Sequence, residues 1–341
     1  MANFWKEIKS PFFVLAPMED VTDTVFRQII ASIAKPDVFF TEFANVDAII
    51  NCSTTLLPPP NLGGGIKGGG IHPGLQRLVY SQLERPIVAQ IWGTEPTKFY
   101  QAAKLIKRVS FDGIDINLGC PQRKIIKTGS CAALIGQNKL VGEIIAATVE
   151  GVGGLPVSVK TRIGIEAPIT EDWVGFLLTQ NLAAITIHAR TAAEKSEVPA
   201  HWDEIAKAVR VKRMANSKSL IVGNGDVSDL RQATSYCRDY GVDGVMIGRG
   251  IFTNPAVFDK SGRILTPDEK LQLFARHIKL YRRTWGQQKN LHILKKFAKT
   301  YISGWSGAAV MRERLSRARS YDQLVTSLSG YLGVDEKLAL F

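Results

Sequence analysis

The sequence predicts an α/β fold: a closed (β/α)8 TIM barrel followed by a small all-helical C-terminal domain. Three observations carry this. Eight short apolar runs recur over about 250 residues, each followed by a helix-like stretch. Several of the runs, such as Ile87-Val88-Ala89-Gln90-Ile91 and Gly244-Val245-Met246-Ile247-Gly248, are continuously apolar or nearly so, as expected of strands covered on both faces of a parallel sheet. The first run is followed by Ala16-Pro17-Met18-Glu19-Asp20 rather than by the Gly-x-Gly-x-x-Gly turn expected of an open doubly wound sheet.

In order, the strands are expected at residues 13–17, 38–42, 86–91, 113–117, 156–160, 184–188, 219–223 and 244–248. Helical patterns fill the gaps, for instance at 97–109 and 139–149. Residues 52–74 break the rhythm with three consecutive prolines and two glycine runs. Such a segment buries little apolar surface and reads as a long mobile loop at the top of the barrel. After the eighth strand the pattern becomes helical throughout. Thr266-Pro267-Asp268-Glu269 has the residues of a capping box with proline at the first helical position. Leu271, Phe274, Ile278, Tyr281 and Trp285 follow on one face. A second helix is expected from Leu291 to about residue 303, and a third through Arg312, Arg314, Arg317 and Arg319. The boundary is expected near residue 262, which gives domains at 1–262 and 263–341.

The 341 residues carry a net charge of +12. Residues 266–341 hold seven lysines and seven arginines against six acids, or +8, two thirds of the excess. Charge concentrated on one module suggests a polyanionic partner such as nucleic acid. There is no apolar run of transmembrane length, and the first residues do not resemble a secretory signal. Cys52, Cys120, Cys131 and Cys237 show neither a disulfide framework nor metal-ligand spacing. They read as reduced thiols, so a cytoplasmic protein without metal is expected.

In a TIM barrel, catalytic groups project from the carboxyl ends of the strands. Those ends carry Pro17 and Met18, Glu42, Gln90, Asn117 with Cys120, Lys160 with Arg162, His188 with Arg190, Asn224 with Asp226, and Gly248 with Arg249. A purely structural barrel needs no such ring of polar groups, so an enzyme is expected. Gly223-Asn224-Gly225-Asp226 and Gly248-Arg249-Gly250 lie after strands seven and eight, the usual phosphate site of this fold. Lys160 is costly to bury unpaired, which argues for a functional role. Cys120 could be a general acid, because a free thiol titrates near pH ~8.5 and keeps its proton at neutrality. It could equally be a small buried hydrophobe.

These motifs resemble one family. Leu15-Ala16-Pro17-Met18-Glu19-Asp20-Val21-Thr22-Asp23 and Asp115-Ile116-Asn117-Leu118-Gly119-Cys120-Pro121 resemble the tRNA-dihydrouridine synthases. So do Val159-Lys160-Thr161-Arg162, Ile187-His188-Ala189-Arg190, Gly223-Asn224-Gly225-Asp226 and Ile247-Gly248-Arg249-Gly250. The resemblance implies FMN at the top of the barrel, with Pro17, Met18 and Glu19 lining it and Gln90, Lys160 and His188 on its ring or ribityl chain. Asn224, Gly225, Asp226, Gly248 and Arg249 would hold the ribityl phosphate. Cys120 would be the proton donor, with Asn117 and Arg162 toward the uracil. NADPH would be the reductant and tRNA the substrate, gripped by Lys295, Lys296 and Lys299 of the tail. A monomer is expected. The family often has glycine where Ala189 stands, and the glycine-rich insertion at 61–70 is not part of its usual pattern. The alternative is an FMN barrel dehydrogenase of a small pyrimidine, similar to a dihydroorotate dehydrogenase, for which a basic tail has no use.

Overall fold

The computed structural model describes residues 3–52 and 71–329. The 52–74 segment therefore falls mostly outside the described residues. Among the described residues, nine parallel strands make one sheet: β1 (Phe12–Leu15), β2 (Phe39–Phe40), β3 (Ala44–Asn45), β4 (Ile87–Trp92), β5 (Gly113–Leu118), β6 (Val157–Arg162), β7 (Ala184–His188), β8 (Leu220–Asn224) and β9 (Gly244–Ile247). Their order, β1-β9-β8-β7-β6-β5-β4-β2, follows the sequence around the barrel. A bridge between Val14 and Val38 closes it, with the Leu15 amide donating to the Val38 carbonyl at 3.2 Å.

All eight expected strands are present, and one is divided. At the second, regular pairing stops at Phe40 because Thr41 Oγ1 accepts the Gln90 amide at 3.0 Å in place of a backbone carbonyl. Pairing to β4 resumes at Ala44, opposite Ile91.

The two-residue period of the strands sorts the core. Outward side chains such as Ile114, Ile116, Val159, Ile185, Ile187 and Val245 pack under the helices. Inward ones, including Phe12, Val14, Val38, Phe40, Val88, Val222 and Met246, fill the barrel. Gly244 is needed here, since a Cβ would lie 2.5 Å from the Phe12 ring. Continuing along the inward parity, the filling turns polar: Gln90, Asp115 and Asn117, Lys160, His188 and Asn224. An apolar plug below and a polar ring above is what places the site.

The tail begins as expected. Thr266 Oγ1 accepts the Glu269 amide at 3.2 Å, Glu269 returns the bond to the Thr266 amide at 2.8 Å, and the helix Pro267–Trp285 follows. The expected helix from Leu291 is instead two short ones, His292–Lys296 and Ala298–Tyr301. Between them the Phe297 amide bonds back only three residues, to Leu294. The Phe297 ring stacks on Phe26 of the barrel helix Thr24–Ala31, centroids 4.9 Å apart. Ala308–Arg317 is the third expected helix, and Tyr321–Ser329 is a further one not expected. Apolar faces of the tail join the core that lies beneath the barrel helices. No described helix is long and apolar enough to cross a membrane.

Candidate active site

A cavity of about 510 Å³ opens at the carboxyl ends of the strands. It brings together Pro17, Met18, Gln90, Asn117, Cys120, Lys160, Arg162, His188, Asn224, Gly225, Asp226, Gly248 and Arg249. Glu19 is not in the lining; it accepts Arg77 at 2.8 Å and Gln122 at 3.1 Å. Lys295 and Lys296 already have partners, the Ser316 carbonyl at 2.7 Å and Asp20 at 3.0 Å, while Lys299 is exposed.

Register explains the grouping. Gln90 lies opposite Asp115, Asn117 opposite Lys160, and His188 opposite Asn224. Asp115 accepts Gln90 Nε2 at 2.8 Å and Ser158 Oγ at 2.6 Å, and Gln90 Oε1 accepts Asn117 Nδ2 at 3.0 Å. With its Nδ2 fixed, Asn117 presents Oδ1 to the amides of Gly119 and Cys120, both at 3.0 Å. This chain sets the Cys120 loop from below. Arg162 sets it from the side: Nε donates to the Gly119 carbonyl at 2.8 Å, and Nη1 donates to the Thr191 and Lys195 carbonyls. Burial raises the Asp115 carboxyl to about 6 and pushes the Cys120 thiol up. Cys120 therefore holds its proton at neutral pH, which suits an acid better than a nucleophile.

The opposite wall is cationic. Lys160 Nζ donates to Asn224 Oδ1 at 3.2 Å, and Asn224 Nδ2 donates to the Met246 carbonyl at 2.8 Å. Burial, with Arg162 nearby, brings the Lys160 ammonium down to about 8. Arg190 bonds Asp226 closely and donates to His188 Nε2 at 3.2 Å. A guanidinium can only donate, so Nε2 accepts and the proton of the neutral ring is on Nδ1. Burial and the charges of Lys160, Arg162, Arg190 and Arg249 hold His188 well below its ordinary value. Arg249 also pairs with Asp226, at 2.8 Å. Four cations, Lys160, Arg162, Arg190 and Arg249, thus bear on His188, and two of them pair with Asp226, a field suited to an anionic ligand.

Sequence reasoning placed Arg190 in the strand-end ring without a specific role, and passed over Asp115 and Phe43, which lines the cavity beside Cys120. The signal for two of them was parity: Asp115 is two residues before Asn117, and Arg190 two after His188. Among the described residues, no group of three or more His, Cys, Asp or Glu is placed to hold a metal ion.

A barrel with an acid-poised thiol, a neutral histidine and a ring of cations at its catalytic face is a TIM-barrel enzyme. Comparison with known proteins gives it a family. The dihydrouridine synthase family matches residues 71–330. A probable tRNA-dihydrouridine synthase of Staphylococcus aureus is 38% identical over 343 residues, covering 99% of each chain. Probable tRNA-dihydrouridine synthase 2 of Bacillus subtilis is 37% identical over 331 residues, covering 96% of each. The chain belongs to the dihydrouridine synthase family and is an oxidoreductase. Among solved structures, an old yellow enzyme homologue from Zymomonas mobilis superposes with a TM-score of 0.50 at 14% identity, over 76% of this chain and 93% of its own. Histamine dehydrogenase from Rhizobium sp. 4-9 does so at 0.52 and 13%, over 79% and 48%. At that identity the likeness is one of fold.

Proposed function

We propose that this protein reduces the C5–C6 bond of uridines in tRNA to 5,6-dihydrouridine, using FMN reduced by NADPH and Cys120 as the proton donor. Family membership carries the reaction. The observation that carries the residue assignments is the single cavity that gathers Cys120, Asn117, Lys160 and the glycine turns after β8 and β9.

FMN fits the residues present. Gly248 lacks a Cβ where one would lie 3.7 Å from the Ala16 Cβ and 4.0 Å from Met18 Sδ, so the backbone stays open toward the cavity floor. Gly225 takes a φ of +134°, and a Cβ there would come within 2.8 Å of the Ala200 Cβ. Small turns and Arg249 suit a phosphate; Lys160, Gln90 and His188 suit the ring system and ribityl chain. When bound, FMN supplies the hydride that C6 of the uracil accepts. Cys120 gives its proton to C5, and Asn117 orients both the uracil and the Cys120 loop. Arg162 holds that loop against Thr191 and Lys195. The target uridine must leave its stack to enter, which favours a loop nucleotide such as those of the D-loop.

The test is direct. Protein supplied with FMN, NADPH and tRNA lacking dihydrouridine should convert uridine to dihydrouridine, read by nucleoside digestion and mass spectrometry. Conversion of a free pyrimidine with none of tRNA would overturn the reading.

Lys160 makes FMN binding depend on pH. Its ammonium is charged below about 8 and neutral above. The affinity of the apoprotein for FMN should fall between pH ~7 and ~9, and Lys160→Met should flatten that fall. Equal affinities across the range in the unmodified protein would remove Lys160 from the flavin site.

The tail, with its +8 charge, is proposed to grip tRNA phosphates on a protein acting as a monomer in the cytoplasm. Replacing Lys295, Lys296 and Lys299 by glutamine should weaken tRNA binding and flatten its salt dependence, by ~0.7–0.9 in logarithmic slope for each phosphate no longer neutralised. An unchanged slope would place the RNA surface elsewhere, for which the cleft lined by Arg282, Arg319 and Tyr321 is the next candidate.

A further inference from the structure

Lys289 is largely withdrawn from solvent at a place the reaction does not use. The helix Pro267–Trp285 ends at Gly286, whose φ of +51° turns the chain back. Lys289 then lies over the Trp285 ring, Nζ 4.2 Å from the centroid, and reaches the barrel. Nζ sits 3.2 Å from Asp23 Oδ2 and 3.6 Å from Glu42 Oε2, and Trp285 Nε1 donates to the same Asp23 oxygen at 2.8 Å. The side chains are nearly closed to solvent: 11% exposed for Lys289, 6% for Asp23 and 2% for Glu42.

Both acids hold the loop between β1 and the helix Thr24–Ala31. Asp23 Oδ1 caps that helix by accepting the Phe26 amide at 3.0 Å. Glu42 Oε1 accepts the Asp20 amide at 2.6 Å, while Oε2 has no hydrogen bond among the described residues and faces Lys289. Thr22 Oγ1 accepts the Met18 amide at 2.8 Å, so a grip on residues 20–23 is carried back to Pro17 and Met18 at the cavity. Lys296 of the tail adds a second hold on Asp20, at 3.0 Å.

A buried ion cluster of this kind gains little stability over an apolar replacement of the same volume. What it supplies is a defined geometry, since two carboxylates can satisfy one ammonium in few arrangements. We propose that Lys289 is a positioning residue: from the helical tail it fixes the loop after β1, and thereby sets Pro17 and Met18 in the cavity. The consequence for cofactor binding rests on the reading of that cavity as a flavin site.

The test compares Lys289→Met and Lys289→Arg with the unmodified protein. Amide hydrogen exchange is followed by segment without cofactor, and FMN affinity by fluorescence well below the unfolding temperature. Lys289→Met should speed exchange at residues 18–23 while the other barrel strands keep their protection. It should also weaken FMN by ~10-fold, the usual scale for loss of a supporting group. Lys289→Arg should restore most of both. If Lys289→Met does not fold, adding Glu42→Gln removes one stranded charge but still cuts the hold, and loop exchange should again be faster. Unchanged exchange at 18–23, or acceleration spread evenly over the molecule, overturns the proposal. So does a loss of tRNA affinity with the loop still protected, which would make Lys289 an RNA contact. Failure of the unmodified protein to bind FMN would defeat the flavin reading alone, because the exchange comparison needs no cofactor.

Discussion

Cys120→Ala is expected to lower dihydrouridine formation by about 10²–10⁴-fold, the range for loss of a positioned acid, with FMN content unchanged. The two effects separate because the loop's geometry does not depend on the thiol. Asn117 Oδ1 holds the Gly119 and Cys120 amides, and Arg162 holds the Gly119 carbonyl. Removing Sγ therefore takes away the proton and leaves the frame. Burial keeps the thiol protonated at neutral pH, the form a proton donor needs. Cys120→Ser retains a proton on a weaker acid and should fall between the two. Dihydrouridine in digested tRNA, measured beside flavin absorbance of the same samples, checks it. Full turnover by Cys120→Ala would remove Cys120 as donor.

Arg27→Met is expected to cost about 3–5 kcal/mol of stability, as breaking a buried ion pair typically does. Arg27 and Glu84 are fully buried, with Nε 2.5 Å from Oε2. The guanidinium also donates to the Thr22 carbonyl at 2.5 Å and the Val79 carbonyl at 2.7 Å, tying the β1 loop to the segment before β4. Glu84 further accepts Thr24 Oγ1 and the Ser81 amide, both on Oε1, so losing Arg27 leaves it hydrogen-bonded but without a countercharge. The sign with pH follows. Burial raises the Glu84 carboxyl even beside Arg27, and further without it. A carboxyl whose folded value is raised loses stability as pH rises through that value, so the deficit should be larger at pH ~8 than at ~5. Urea unfolding at both values measures it. A deficit below about 1 kcal/mol, or one equal at both, would contradict the account.

The barrel was legible because its strands are apolar on both faces, and the inward ring was legible because strand ends alternate with period two. Asn117, Lys160, His188 and Asn224 thus stand out in the sequence itself. What ties them together does not. The Asp115–Gln90–Asn117 chain depends on the stagger between β4 and β5, and the Arg190–Asp226–Arg249 cluster on three separate loops. Glu19 shares the motif of Pro17 and Met18, yet Arg77, far along the chain, draws it out of the cavity. Trp285 reads as part of an apolar helix face, and Lys289 is one among the tail's seven lysines. Their partner Asp23 lies 262 and 266 residues away, beyond the reach of any local pattern.

As proposed above, one cavity carries flavin, accepts electrons from NADPH and passes them to uridine in tRNA. The most direct measurement is the absorption spectrum of the purified protein, recorded without oxygen, before and after NADPH and then with tRNA lacking dihydrouridine. Flavin bands that NADPH bleaches and tRNA restores, with dihydrouridine formed in step, are the expected result. Bands that return only with a free pyrimidine, or a protein that takes up no flavin, would contradict it.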